Sequence, residues 1–263
     1  MSIRLVCLDV DGTLIGASGQ VPEAVWRAAD KLRNAGIVLA LASGRPAFGV
    51  AREYAERLQP GGWHVFQNGA SLINLASAES RSAVLPAASV ARLIAQARRG
   101  RGDLELYADL EYAIESTSAR ARAHAVLLGV PFAPRALDSL SAPIVRAQWL
   151  AGNDDLEAVR NDDAGLECWP AGSLAMPDTT FVSLTAAGVG KASAITALAA
   201  IHGIELADVM FVGDGRNDVE ALRIVGVSVA MGNAEAEAAA VARHQVGHVD
   251  AGGLLAALAL AFP

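Results

Sequence analysis

Ile3-Arg4-Leu5-Val6-Cys7-Leu8-Asp9-Val10-Asp11-Gly12-Thr13-Leu14 opens the chain with an apolar, strand-forming run that ends in two carboxylates spaced two apart and a glycine. Side chains of a strand alternate between faces, so Asp9 and Asp11 are expected on the same side. Two like charges about 4 Å apart repel by roughly 4 kcal/mol at an effective dielectric of about 20. A shared proton, a basic partner or a divalent cation would have to offset that repulsion. Taken alone, the stretch suits a hairpin turn equally well, because Asp-Gly is a strong short-range turn signal. The rest of the chain separates the two.

Working outward, Pro22–Ala35 carries Val25, Ala28, Ala29 and Leu32 at helical spacing and stops at Gly36. Ile37–Ala42 is an apolar run of strand length ended by Ser43-Gly44-Arg45-Pro46, and Val50, Tyr54 and Leu58 mark one face of the next helix. Strand–helix–strand–helix with wholly apolar strands predicts a parallel sheet covered on both faces. His64–Gln67 gives another short strand, with Asn68-Gly69 as a hairpin turn. The same texture is expected to return at Phe181–Leu184. A helix over Gly190–Ile201 follows, then a strand ending in Gly213-Asp214, a helix over Arg216–Val225 and a strand Val227–Met231 ended by Gly232-Asn233. Helices near Ala234–Ala242 and Gly253–Phe262 close the chain. Between residues 83 and 180 the pattern differs: helical stretches (Ala88–Arg101, Ser118–Leu128) alternate with strands at Leu104–Leu110, Tyr112–Glu115 and Ile144–Leu150, punctuated by prolines. The expected organisation is a Rossmann-like, doubly wound α/β core from residues 1–82 and 181–263, interrupted by an inserted α+β domain at 83–180.

Composition narrows the class. The chain has 263 residues and is 53% hydrophobic with only 5% aromatic residues, which suits a helix-rich α/β protein and excludes a disordered one. Its 21 basic and 28 acidic residues give a net charge of −7, which argues against a general nucleic-acid binder. Cys7 and Cys168 lie far apart and are expected to be buried small hydrophobes rather than a disulfide or a metal pair. Neither a secretory leader pattern nor a membrane-length apolar run is present, so a cytoplasmic setting is expected. Oligomeric state leaves no signal.

In open α/β sheets, ligands bind beyond the carboxyl ends of the strands. Four strands are expected to end there in polar residues: Asp9 and Asp11, Ser43-Gly44-Arg45, Asp214, and Gly232-Asn233. Asp218 follows Asp214 by four residues; helix capping accounts for Asp218 but not for an acid that ends a buried strand. Three or four carboxylates at one sheet edge are most economically satisfied by a hard divalent cation, Mg2+, and no Cys/His set at zinc-like spacing competes. The histidines are scattered and are expected on the surface or in packing roles. Lys191 begins a helix after Gly188-Val189-Gly190, and there it could meet a phosphate together with free backbone N–H groups. Ser43-Gly44 suits a phosphate as well as it suits a helix cap.

In this order, Asp9-Val10-Asp11-Gly12-Thr13, Ser43, Lys191 and Gly213-Asp214-Gly215-Arg216-Asn217-Asp218 resemble the four motifs of the haloacid dehalogenase-like phosphohydrolase superfamily. Leu41–Arg45, Asn68-Gly69-Ala70, Gly190-Lys191 and Ala230–Ala234 are similar to its Cof-type, subclass IIB members, which carry a large α/β cap between the second and third motifs. The resemblance implies a Mg2+-dependent phosphatase acting on a small phosphorylated metabolite, a sugar phosphate foremost. It implies that Asp9 attacks phosphorus to form an aspartyl-phosphate, and that Asp11 protonates the leaving alcohol and then activates water. It further implies that Asp9, the Asp11 backbone carbonyl and Asp214 hold the metal with Asp218 as an outer ligand. Ser43, Gly44 and Lys191 would bind the phosphoryl oxygens, with Asn217 in support. A phosphosugar mutase and a catalytically silent binding module are the alternatives. The inserted stretch matches no motif; its aromatics (Tyr107, Tyr112, Trp149, Trp169) could line a substrate pocket, but core packing is the expectation for each one taken singly.

Overall fold

The computed structural model describes residues 2–100, 102–159, 162–173 and 175–262; Arg101, at the end of one expected helix, lies outside them. In chain order the elements are β1 (Leu5–Leu8), α1 (Glu23–Asn34), β2 (Val38–Leu41), α2 (Val50–Leu58), β3 (Trp63–Phe66), β4 (Ser71–Asn74), β5 (Ser80–Ser82), α3 (Ala87–Arg98), β6 (Asp103–Tyr107) and β7 (Tyr112–Ile114). They continue with α4 (Ala119–Leu128), β8 (Arg146–Gly152), β9 (Leu166–Ala171), β10 (Thr179–Ala186), α5 (Lys191–Ile201), β11 (Val209–Gly213), α6 (Val219–Ile224), β12 (Val227–Ala230), α7 (Ala236–Val241), β13 (His244–Gln245) and α8 (Gly253–Ala259).

Strict alternation in β1 builds the main layer. Val6 and Leu8 face one side, packing with residues of α1, α2 and α8 such as Leu32, Leu58 and Leu258. Leu5 and Cys7 face the other and meet Ile195 and Leu198 of α5 and Leu222 of α6. With both faces covered, the strand has no polar position to give, which is why it reads as continuous apolar sequence. The sheet runs β13-β12-β11-β1-β2, and each described pairing within it is parallel. Beyond β2 the ladder thins to one parallel bridge, Ala42 with Val65, which leads into an antiparallel sheet of β3, β4 and β5. There the His64 ring replaces a ladder bond: its Nδ1 accepts the Leu41 N–H at 3.0 Å, and its Nε2 lies 3.1 Å from the Gln59 carbonyl.

A separate antiparallel sheet runs β7-β6-β8-β10-β9. One face buries Leu104, Leu106, Ala147, Trp149, Val182 and Leu184 against Leu93 of α3. Two expectations need correction here. Phe181–Leu184 lies in β10, in the middle of this sheet and paired with β8 and β9, so the antiparallel sheet runs past residue 180. The apolar composition of β10 comes from being an inner strand, which mimics the buried strands of the parallel sheet. Strand β9 lies outside the expected strands and contains Pro170; as an edge strand it needs no donor there. Finally, Cys168 on that same edge strand is exposed, whereas Cys7 is buried. Among the described residues no helix is long and apolar enough to cross a membrane.

Candidate active site

The carboxyl ends of β1, β2, β11 and β12, neighbours in the parallel sheet, converge on one place. Strand β1 stops at Leu8, and only the Asp9 N–H continues the pairing, donating to the Val212 carbonyl at 3.0 Å. The chain then turns. Gly12 adopts φ +82°, and the Val10 carbonyl accepts the N–H groups of Leu14 and Ile15, each at 2.9 Å. A Cβ at Gly12 would stand 2.0 Å from Asp214 Oδ2, so this turn admits glycine on both counts.

Three carboxylates meet here: Asp9, Asp214 and Asp218 each offer an oxygen within 4.8 Å of the others. Lys191, at the first position of α5 and 1% exposed, donates from Nζ to Asp9 Oδ1 and to Asp218 Oδ1, both at 2.6 Å. Asp218 Oδ2 accepts the N–H groups of Asp214 and Gly215 at 2.9 Å, so the carboxylate caps its own turn and holds the lysine at once. Asp214 accepts from Thr13 Oγ1 at 3.0 Å and from Asn233 Nδ2 at 3.3 Å; Asn233 also donates to the Gly12 carbonyl at 2.7 Å. Gly232-Asn233 thereby ties the fourth strand end to the first.

The electrostatics follow from burial. Desolvation pushes the Asp9 carboxyl well above the usual carboxylate range, with Asp214 and Asp218 adding to the effect and Lys191 opposing it. Desolvation, then the Asp218 charge, push Asp214 up to about 7. Lys191 is held above its ordinary value by Asp218 and Asp9 despite its own burial. Three acids share one ammonium, an imbalance that a hard cation would relieve. The donor set is all oxygen and carries no Cys or His, as Mg2+ requires.

The remaining expected residues divide. Asp11 does not join the trio. The same-side expectation assumed that the strand continued, but β1 has ended, and the Asp11 carboxylate instead receives a two-pronged bond from Arg45, Nε to Oδ2 at 2.8 Å and Nη2 to Oδ1 at 2.7 Å. The basic partner that the repulsion called for is therefore Arg45 for Asp11 and Lys191 for Asp9. Ser43, fully buried, donates its N–H to the Val65 carbonyl and accepts the Arg45 N–H on Oγ at 3.1 Å. Asn217 donates from Nδ2 to Asn68 Oδ1 at 2.8 Å, and Gly44 backs onto that same Asn68 oxygen.

Sequence reasoning missed the second face of the antiparallel sheet. Glu105, Gln148 and Ser183 stand in register across β6, β8 and β10, flanked by Tyr107 and Arg146. Glu105 accepts from Tyr107 Oη at 2.5 Å and Gln148 Nε2 at 3.1 Å, and lies 2.9 Å from His124 Nδ1. The signal was present as alternation: Leu104-Glu105-Leu106-Tyr107 and Arg146-Ala147-Gln148-Trp149 each put polar groups on one side. At the far edge, the half-buried Trp169 packs its ring against Gly190, 3.0 Å from where a Cβ there would stand, and donates from Nε1 to Thr185 Oγ1 at 3.0 Å.

Comparison with known proteins identifies the family. A family model described as haloacid dehalogenase-like hydrolase matches residues 6–258. The chain is 22% identical over 244 residues to the 5-amino-6-(5-phospho-D-ribitylamino)uracil phosphatase YcsE of Bacillus subtilis (strain 168), covering 89% of this chain and 86% of that one. A haloacid dehalogenase-like hydrolase from Bacteroides thetaiotaomicron superposes with a TM-score of 0.87 at 25% identity, covering 99% of this chain and 100% of that one. The HAD subclass IIB sugar phosphatase BT4131 superposes with a TM-score of 0.83 at 20% identity over 98% of each chain.

Proposed function

The chain belongs to the haloacid dehalogenase-like hydrolases, and from that premise we propose that it is a Mg2+-dependent phosphatase that cleaves a small phosphorylated metabolite, a sugar phosphate foremost, through an aspartyl-phosphate on Asp9. The observation that carries this function is the trio of Asp9, Asp214 and Asp218 gathered around Lys191, each element beginning or ending at one sheet edge.

Asp9 Oδ attacks phosphorus, the bond to the leaving oxygen breaks, and Asp11 passes a proton to the departing alcohol. Asp11 then takes a proton from water, the resulting hydroxide displaces Asp9, and phosphate leaves. Arg45 bonds both Asp11 oxygens in this structure and so favours the carboxylate; one of these bonds must give way for Asp11 to carry the proton it passes on. Asp9, Asp214 and the Asp11 backbone carbonyl would hold the cation, with Asp218 as an outer ligand; when bound, the cation supplies positive charge against the phosphoryl oxygens. Lys191 orients Asp9 and shares the phosphoryl charge; Ser43 and the Gly44 backbone donate to the phosphoryl oxygens. Phosphoryl transfer needs chiefly this positioning and charge stabilisation beyond the nucleophile.

The same proposal treats residues 1–82 and 187–263 as the catalytic core and 83–186, to the end of β10, as a cap that selects the substrate. Relatives that bear the names of a sugar phosphatase and a ribitylaminouracil phosphatase support a polyhydroxylated phosphate ester as the substrate class. Phosphate release from a panel of sugar phosphates, ribityl phosphates, nucleotides, flavin mononucleotide and pyridoxal phosphate, with and without Mg2+, tests it. Hydrolysis that survives full chelation would remove the metal. Glucose 6-phosphate accumulating from glucose 1-phosphate and its bisphosphate, without free phosphate, would replace hydrolysis with a mutase reaction.

A further inference from the structure

The peptide unit joining Gly44 to Arg45 carries a hydrogen bond at each end. Its carbonyl accepts from Arg146 Nη1 at 2.9 Å, and its N–H donates to Ser43 Oγ at 3.1 Å. A trans peptide is planar with C=O and N–H directed oppositely, so whatever fixes one end fixes the other. Arg146 comes from β8 of the antiparallel sheet and is 2% exposed. Its Nε donates to Gln67 Oε1 at 3.2 Å, its Nη1 also reaches Gln148 and Ser183, and its guanidinium carbon lies 4.0 Å from the Tyr107 ring centroid.

The core side of this junction is held under strain. Gln67 and Asn68, both buried, adopt φ of +56° in succession, a region that residues other than glycine seldom occupy. Such backbone persists where the surroundings over-determine it. Here Gln67 Nε2 donates to the Ala108 carbonyl at 2.9 Å and to Ser71 Oγ at 3.2 Å, while the Asn68 N–H donates to the Ser43 carbonyl at 3.0 Å. Ser43 is thus fixed through its carbonyl by one strained residue, and the arginine that reaches its hydroxyl through the next peptide is braced by the other.

A serine hydroxyl has a single proton to give. With its oxygen facing the Arg45 N–H, Ser43 must turn that proton away from Arg45. We propose that Arg146 is a positioning residue for phosphate binding: acting through the Gly44–Arg45 peptide, it orients the Ser43 hydroxyl, so that the phosphate site is complete only while the antiparallel sheet is docked on the parallel one. This rests on the phosphatase reading in one respect, that Ser43 meets the phosphoryl group. An arginine that served only to bind the two sheets together would affect stability without acting through Ser43.

A double-mutant cycle separates the two roles. Arg146→Lys keeps the charge but loses the fork that spans Gln67 and Gly44. Affinity for inorganic phosphate by titration calorimetry and kcat/KM for p-nitrophenyl phosphate are each expected to fall about tenfold, the size of one lost charged hydrogen bond. Added to Ser43→Ala, the same substitution is expected to cost nothing more. Gln67→Asn, which tolerates the left-handed backbone but retreats from Arg146, should give a smaller loss with the same dependence on Ser43, and it decides the matter should Arg146→Lys fail to fold. An equal loss in the Ser43→Ala background, or a folded Arg146→Lys with unchanged affinity, overturns the proposal. Wild-type protein that binds phosphate but cleaves no ester would sink the phosphatase reading alone, with the affinity cycle still deciding the role of Arg146. Wild-type protein that binds no phosphate would sink both.

Discussion

Lys191 holds its ammonium between Asp9 and Asp218 with no solvent in reach, and the three charges depend on one another. Removing one member of a buried ion pair leaves the rest uncompensated, a loss of about 3–5 kcal/mol. Lys191→Met should therefore lower stability by about that amount in urea unfolding, and Mg2+ should restore part of it by taking up the stranded charge. Asp9→Asn leaves Lys191 paired with Asp218 and removes one of the acids crowded around a single ammonium, so it should cost far less stability than Lys191→Met. Its turnover should fall on the order of 10⁴-fold or more, because the amide cannot attack phosphorus. Measured side by side, the two variants separate a structural role from a chemical one at neighbouring atoms. A large stability loss in Asp9→Asn would contradict this division.

Elements show where the sequence could and could not be read. Helices α1, α2 and α5 and strands β1, β2, β11 and β12 were legible because each satisfies a single period with nothing competing, and the strand ends gathered the acids in sight of each other. The same logic misled at two points. Alternation carried past Leu8 placed Asp11 beside Asp9, although the backbone had already turned to bond Leu14 and Ile15. Apolar composition alone could not tell β10, an inner strand of an antiparallel sheet, from a strand of the parallel one. The side-chain pairings across sheets, Arg45 with Asp11 and Arg146 with Gly44, join residues 34 and 102 apart, beyond any local pattern.

His64, read as a scattered histidine, proves to be a strand-level device with a measurable consequence. Desolvation by burial lowers its pKa to about 4, from an ordinary value of 6.5, and the neutral ring accepts the Leu41 N–H. The unfolded chain takes up the proton first as pH falls, so this stabilisation is complete above pH 6.5 and is lost on acidification toward pH 4. The contribution is about 3 kcal/mol. Urea denaturation between those pH values should show it as a slope that His64→Gln flattens; an unchanged slope would place the acid sensitivity elsewhere.

At the scale of the molecule, two sheets of different construction meet over one cluster of charge. A deletion of residues 83–180 would leave Phe181–Ala186 without its partner strands, whereas one running to residue 186 removes the antiparallel sheet whole. The longer deletion, closed by a short linker, should keep the parallel sheet's circular dichroism and a weak activity on p-nitrophenyl phosphate while losing discrimination among phosphorylated metabolites. Full unfolding of this shorter chain would mean that the parallel sheet needs the other for its own stability.

Trp169 gives the protein a built-in optical gauge. Its indole rests against Gly190, one residue before Lys191, whereas Trp63 and Trp149 are buried within their own sheets and Trp26 sits on α1 against Tyr54 and Arg57. Any parting of the two sheets wide enough to admit a substrate exposes that ring to water and should shift its emission to longer wavelength. Stopped-flow fluorescence, with Trp169→Phe as the silent control, would then time the opening and closing of the cleft and show whether that movement or the chemistry sets the pace of turnover.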